Sequence, residues 1–516
     1  MVAWLPAIMF LASSLAADLV ALTGHDPIGI LPDLPIGPLG DGWLNAELSG
    51  TASFLVALAL LRSKRVGLWL ALGALAGGFL VQGPISGHPV GAAAAAISGG
   101  ILVLARDRYT IRSGSTRKVA GLVVAGGLLA VGGATVGMTA GVAMLLARLL
   151  FVMATFLALE PAEDPRTQEE VERAHAILQR LGRGALLPYQ LDDPAVPFAT
   201  QDGRGVLAFA RAGRVAVMLG DPVGEPTPAF EAVVEWIRTC KSVDWLPVLY
   251  QASDELAARL TRSGAFSCRI GSEAVLDPAA FDLRSARLAN VRHTVTRSRR
   301  GGIRAACSIG DGELHGLPSM SALAALDEDW RRRAGPTLGF TVGRFDPDRL
   351  SDALVAVAVE GSGTPVAFTV LRAAGSDGSW MLDLIRRRGG SVPGAVEAAL
   401  VTAIELLASI GVRRLSLGLA PLAGLSRPGA SLAERILGRA ARVARPIYDV
   451  AGLAFFKNKF APWWEPRYLI VPRWWDLPAA VVALLRLHFG VTWPPMVRSL
   501  AAALTPKRRR SPEAPS

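Results

Sequence analysis

The sequence predicts a chain in two parts, an N-terminal α-helical membrane bundle followed by an α/β region built from two tandem units. Three observations carry that prediction: long apolar runs confined to residues before 161, an abrupt turn to polar composition at Pro161, and strand-like and helical segments that alternate twice beyond it. The chain has 516 residues, of which 51% are apolar and 19% charged, and its mean hydropathy is +0.37. This excludes a disordered or collagen-like chain and is too apolar for an ordinary soluble protein. A formal net charge of +11 favours anionic partners, nucleic acid or anionic lipid, without choosing between them. Cys240, Cys268 and Cys307 are too scattered for a disulfide framework or a zinc site, so a reducing compartment is expected for the part that carries them.

The apolar runs cover Trp4 to Leu22, Leu44 to Leu61, Val66 to Val81, Val90 to Leu104, Val119 to Gly137 and Met138 to Leu159. Most approach the roughly 20 residues that span a bilayer, which predicts about six transmembrane helices. Five is the rival count, because only the Gly137 to Gly141 neighbourhood separates the last two runs. Arg62, Lys64 and Arg65 follow the second run, and Arg106, Arg108, Arg112, Arg117 and Lys118 follow the fourth, so both loops are read as cytoplasmic. With six spans everything after Glu160 lies in the cytoplasm; with five it lies outside. The first run lacks a basic leader and is followed by further runs, so no cleaved signal peptide is expected. Asp18, Glu47 and Arg148 fall in or beside predicted helices, where an ionisable group is either functional or part of a structural pair. His25, Asp26, Asp33 and Asp41 belong to an irregular outside loop rich in Pro and Gly.

An acidic linker, Ala162 to Arg173, leads into the α/β region. Its first unit shows strands at Gly205 to Arg211 and Arg214 to Leu219, an amphipathic helix at Phe230 to Cys240 and a strand at Trp245 to Tyr250. The second shows strands at Leu354 to Glu360, Pro365 to Ala373 and Trp380 to Ile385, a helix at Ala395 to Ile410, a strand at Arg414 to Leu419 and a helix at Ser431 to Arg442. This order fits an acyltransferase-like α/β fold of the GNAT type. Between the units, Arg284 to Arg304 carries seven arginines and no acid. Leu288, Val291 and Val295 make one helical face apolar, leaving Arg292, Arg299 and Arg300 among the cations offered to phosphates or to solvent. Beyond the second unit, Trp474, Trp475 and Trp493 flank an apolar stretch, Leu477 to Phe489, which is either interfacial or a core helix; KRRR at Lys507 to Arg510 would face anionic head groups. His175, His293, His315 and His488 show no metal-ligating or triad spacing, and none is assigned to catalysis.

The segment FKNKFAPWWEPRYL, Phe456 to Leu469, sets Lys457, Lys459, Glu465 and Arg467 among five aromatic residues and two prolines. It closely resembles the signature of the aminoacyl-phosphatidylglycerol synthases, the lysyl- and alanyl-phosphatidylglycerol synthases also known as multiple peptide resistance factors. LGDPVG at Leu219 to Gly224, the segment Leu249 to Asp277, the basic helix, MLDLIR at Met381 to Arg386, and RRLSLGLAPLAGL at Arg413 to Leu425 are similar to family segments in the same order. In Ser321 to Phe345, GFTVGRF fits the pattern, whereas RRRAGPT stands where an acidic and basic pair is expected. Long family members carry some fourteen membrane helices and this chain has room for about six, so synthesis without the full flippase module, or with export by another protein, is expected.

The resemblance implies a transmembrane domain over 1–160, a linker at 161–175, GNAT-like units at 176–283 and 305–475 around a basic helix at 284–304, and an interfacial helix and basic tail at 476–516. Catalysis is implied on the second unit, in the cytoplasm of a bacterial-type cell. It further implies transfer of an aminoacyl group, lysyl or alanyl, from aminoacyl-tRNA to phosphatidylglycerol, with no metal or other cofactor. Asp383 is the candidate base or ammonium ligand, Arg386 the candidate phosphate ligand and Glu465 a second ammonium ligand. Lys457, Lys459 and Arg467, with Arg292, Arg299 and Arg300 of the basic helix, are the candidate substrate-binding cations. Positions 383 and 386 point to opposite faces of a regular strand, so they share a face only if the strand bulges or ends between them. Two other functions stay open: an N-acyltransferase acting on a peptide or cell-wall precursor, using acyl-coenzyme A or aminoacyl-tRNA, and a lipid-handling membrane protein without catalysis. The run Arg386 to Gly390 before a helix would suit the pyrophosphate of coenzyme A, but it lacks the full glycine pattern.

Overall fold

A computed structural model describes residues 7–8, 10–12, 43–80, 89–111, 113–114, 116–132, 140–310, 318–334, 339–350, 352–421 and 450–490. Asp18, His25, Asp26, Asp33, Asp41, Arg112, His315, Trp493, the helix expected at Ser431 to Arg442 and the basic tail lie outside the described residues, as does most of the first apolar run. The chain divides into two units, Met1–Arg166 with Ile237–Leu246, and Thr167–Trp236 with Pro247–Ser516.

In the first unit the later apolar runs form helices α1 (Trp43–Leu61), α2 (Arg65–Leu80), α3 (Pro89–Leu104), α4 (Thr116–Gly132) and α5 (Ala140–Ala158). They pack through Val56, Leu60, Leu68, Leu75, Leu102 and Ala154. No helix among the described residues is long and apolar enough to cross a membrane. The described parts of these helices have 16 to 19 residues.

The second unit carries the α/β region. Its elements are α6 (Gln168–Leu181), α7 (Leu187–Gln190), β1 (Val196–Ala199), β2 (Gly205–Ala212), β3 (Val215–Leu219), β4 (Val223–Gly224), α8 (Pro226–Ser242), β5 (Leu246–Ala252), α9 (Asp254–Arg262) and β6 (Phe266–Leu276). Then come α10 (Ala289–Arg300), β7 (Arg304–Ile309), α11 (Met320–Ala334), β8 (Leu354–Val359), β9 (Pro365–Ala373), β10 (Trp380–Arg387), α12 (Ala395–Ser409), β11 (Leu415–Pro421), α13 (Val450–Asn458), β12 (Trp463–Val471) and α14 (Leu477–Phe489). Local signals set several ends. Thr167 and Glu170 close a capping box on α6, and the Ser253 side chain accepts from the Leu256 N–H to cap α9. The β2–β3 turn uses Gly213 at φ 62°.

The strands form one sheet in the order β1-β2-β3-β5-β12-β6-β11-β10-β9-β8-β7, with β4 paired to β2. The late strand β12 therefore lies between β5 and β6, and β6 pairs with β11 on its other side. The division between residues 283 and 305 separates the halves in sequence but not in the sheet. One face buries α12 with Val291 and Val295 of α10; the other packs Leu323 and Leu326 of α11 against Val355, Phe368 and Leu384. Helix α14 packs on β2 and β3 and buries Ala480 and Ala483, while Trp474 and Trp475 just before it stay exposed.

Candidate active site

Strand β10 is irregular at one residue. Leu382 pairs with Leu371 and Leu384 with Val370, so Asp383 is the extra residue of a β-bulge. Leu382 packs in the cluster with α12 and Leu384 in the cluster with α11. The bulge thus brings Asp383 and Arg386 to the α11 face, which a regular strand would not do. They do not share a cavity there. Asp383 lines a cavity of about 280 Å³ with Tyr189, Asp192, Arg349 and Arg372. Arg386 is buried beside it, its Nε donating to Asp327 and its guanidinium 3.8 Å from the Trp330 ring centroid.

The hydroxyl of Tyr189 donates to Asp383 Oδ1 at 2.8 Å. Arg349 and Arg372 both pair with Asp192, at 2.6 and 3.1 Å. Asp383 itself has no ion-pair partner among the described residues. Burial raises its carboxyl above the ordinary range, against the opposing pull of the Tyr189 hydrogen bond and the Arg372 charge. Gly343, in the segment GFTVGRF, lies against this carboxylate so closely that a Cβ would overlap Asp383. A half-buried carboxylate with a raised pKa and a fixed hydroxyl donor is suited to accepting a proton or holding an ammonium.

Glu465 and Arg467 line a second cavity, of about 690 Å³, together with Asp221, Glu273 and Arg414. Glu465 on β12 faces Glu273 on β6 across the strand pair. Two arginines separate these carboxylates. Arg414 grips Glu465 with two bonds of 2.9 Å, and Arg467 reaches Glu465 at 3.0 Å and Glu273 through its Nε at 2.8 Å; Ser416 donates to the other oxygen of Glu273. Burial pushes the Glu465 carboxyl up, but Arg414, Trp463 and Arg467 outweigh it and hold it below the usual range. Asp221, whose Oδ1 accepts from the Ser253 N–H at 2.9 Å, is raised by burial.

The lysines of the signature turn inward. Lys457 is buried, donates to the Leu419 carbonyl at 2.7 Å and is pushed down to about 7 by burial. It is not among the residues lining either cavity. Lys459 pairs at 2.9 Å with Glu397 in the first turn of α12. On the basic helix, Arg292 bonds the carbonyls of Leu283, Arg284 and Ser285, while Arg299 and Arg300 are exposed. Asp383 and the Glu465–Arg467 pair therefore belong to different cavities, and Lys457, Lys459 and Arg292 are held by protein groups. Sequence reasoning missed Tyr189, Asp192, Arg372, Glu273 and Asp327, which lie far from their partners in the chain and carry no motif. The only available signal was an acid or tyrosine in an otherwise apolar segment.

Two GNAT-like halves sharing one sheet, with a carboxylate-centred cavity and a larger charged cavity, define the chain as an acyltransferase-type α/β protein by fold. A family model described as "Phosphatidylglycerol lysyltransferase, C-terminal" matches residues 189–471; the chain belongs to this family. Among relatives, the lysylphosphatidylglycerol biosynthesis bifunctional protein LysX of Mycobacterium avium is 29% identical over 336 residues, covering 62% of this chain and 28% of that protein. Its Mycobacterium tuberculosis counterpart is 31% identical over 309 residues, covering 55% and 25%. This chain thus spans little more than a quarter of the length of these relatives. The solved structure of L-PGS from Bacillus licheniformis superposes with a TM-score of 0.53 at 25% identity, covering 63% of this chain and 97% of that one. The C-terminal domain of a lysylphosphatidylglycerol synthetase from Agrobacterium fabrum gives 0.54 at 24% identity, covering 63% and 98%, and shares the fold.

Proposed function

We propose that the protein transfers an aminoacyl group, lysyl or alanyl, from aminoacyl-tRNA to the terminal glycerol hydroxyl of phosphatidylglycerol at the cytoplasmic face of a bacterial-type cell membrane. The observation that carries this reading is the family match over residues 189–471, which takes in the smaller cavity with the Tyr189–Asp383 pair and most of the larger one. The names of the relatives, lysylphosphatidylglycerol biosynthesis proteins, support the lipid product. Aminoacyl-tRNA is an activated ester, so the exchange needs neither ATP nor a metal at this step. The lipid hydroxyl attacks the ester carbonyl while Asp383 takes its proton; the tetrahedral oxyanion then collapses, the carbon–oxygen bond to the ribose breaks, and the ribose oxygen takes a proton. Tyr189 orients the carboxylate. Arg299 and Arg300 suit tRNA phosphates, and Arg414 and Arg467 hold a polar wall for the second substrate.

The first unit supports association with lipid: Trp69, Leu104, Leu128 and Phe156 are large apolar side chains that stay exposed, Leu104 at 87%. It holds the enzyme at the bilayer that supplies its substrate. The product carries less negative charge than phosphatidylglycerol and raises resistance to cationic peptides, with a separate flippase exporting it. Mass spectrometry of lipids from cells with and without the protein tests the reading. A new phosphatidylglycerol species, heavier by one aminoacyl residue and labile to mild alkali, is expected. Alkali-resistant amide products would point to the N-acyltransferase, and unchanged lipids in cells holding phosphatidylglycerol and folded protein would overturn the proposal.

A further inference from the structure

The segment Gly339 to Asp346 forms one wall of the smaller cavity through Phe340, Val342, Gly343, Arg344 and Phe345. Little of its own backbone pairing holds it there, and Phe340 adopts a left-handed φ of 64° that a phenylalanine does not choose unaided. Its support comes from α14. The Gly339 N–H donates to the His488 carbonyl at 2.7 Å. The Thr341 hydroxyl lies 3.1 Å from His488 Nε2, and His488 Nδ1 lies 2.8 Å from the Leu484 carbonyl, which makes Nδ1 the donor there and leaves Nε2 to accept from Thr341. The imidazole also stands edge-on to Phe340 and to Tyr250, centroids 5.4 and 5.9 Å apart, and Tyr250 stacks on Phe340. Five residues on, in sequence, from the Gly339 bond, the same segment carries Arg344, and between them Gly343 abuts Asp383.

We infer that His488 is a positioning residue: through Gly339, Phe340 and Thr341 it sets the wall of the smaller cavity against the Asp383 carboxylate. The inference rests on the proposed function for its kinetic test. It goes beyond the family match, which ends at residue 471 and leaves α14 outside. It also gives a purpose to a histidine whose sequence spacing indicated no chemistry. The contacts of His488 are with the segment, so it acts through Gly339, Phe340 and Thr341.

The test uses the full chain in membranes, comparing wild type with His488→Ala, His488→Gln and Thr341→Val. Glutamine places an acceptor near the position of Nε2 and keeps the Thr341 bond. The expected result is a fall in kcat of up to about 100-fold for His488→Ala, as for a displacement on the order of 1 Å at the reacting group. KM for phosphatidylglycerol stays the same, and His488→Gln recovers most of the rate. Hydrogen exchange of the peptide covering 339–350 speeds up in His488→Ala while exchange in β8 and β9 does not. Unchanged kcat, or a loss that tracks the folded fraction and is not rescued by glutamine, would overturn the inference. If wild type transfers no aminoacyl group, the proposed function fails instead; the exchange measurement then decides the positioning role alone, and equal protection of 339–350 in both proteins sinks it.

Discussion

In the proposed reaction Asp383 takes the proton; burial raises its carboxyl while Tyr189 stabilises the charged form. Removing the carboxylate in Asp383→Asn should lower kcat/KM by about 100-fold or more, the range for loss of a general base. Tyr189→Phe removes a hydrogen bond that favours the carboxylate, so the Asp383 pKa rises further. The acidic limb of the kcat/KM profile should then move to higher pH, with a smaller loss at alkaline pH; a limb that stays in place would mean Asp383 is not the titrating group. Lys457 gives a stability prediction of definite sign. Its folded pKa is about 7, below the ordinary lysine value near 10.4, so between those values the unfolded chain binds the extra proton and stability rises with pH. Thermal melts between pH 7 and pH 9.5 should show that rise, and Lys457→Met should flatten it.

At the scale of elements, the charged pairs explain how strand β12 is held inside the sheet. Arg467 stands between two carboxylates on neighbouring strands, so Arg467→Ala leaves like charges opposed and should cost roughly 3 kcal/mol, as for breaking a buried pair; chemical denaturation of the purified protein measures it. Gly343→Ala should lower kcat more than it lowers Tm, since a Cβ meets the Asp383 carboxylate proposed as the base. Strand and helix positions were legible in the sequence. The expected helix at Ala395 to Ile410 is α12, and the strand at Pro365 to Ala373 is β9, because apolar periodicity is a local signal. The bulge at Asp383 was legible only as a condition, since no glycine or proline marks it. Pairing partners were not legible at all: Arg386 with Asp327, and Arg467 with Glu273, are fixed by strand register across long sequence separations.

For the whole molecule, the order of strands matters more than the count of units. With β12 seated between β5 and β6, the two GNAT-like halves share hydrogen bonds and cannot close independently. A chain ending before Trp463 should therefore lose hydrogen-exchange protection in β5 and β6, far from the cut in sequence, rather than in the second half alone. That exchange of strands was hidden from the sequence, where the basic helix at 284–304 reads as a boundary. The apolar N-terminal runs were legible as helices, and the described parts of five of them are helical. The proposed function makes the chain an enzyme that brings a nucleic-acid-borne ester to a lipid hydroxyl. The most direct measurement incubates membranes containing the protein with radiolabelled lysyl- or alanyl-tRNA and counts chloroform-soluble label. The account predicts alkali-labile label that requires phosphatidylglycerol, disappears with ribonuclease and falls to background in Asp383→Asn; no lipid label from any aminoacyl-tRNA, with folded protein and phosphatidylglycerol both present, would contradict it.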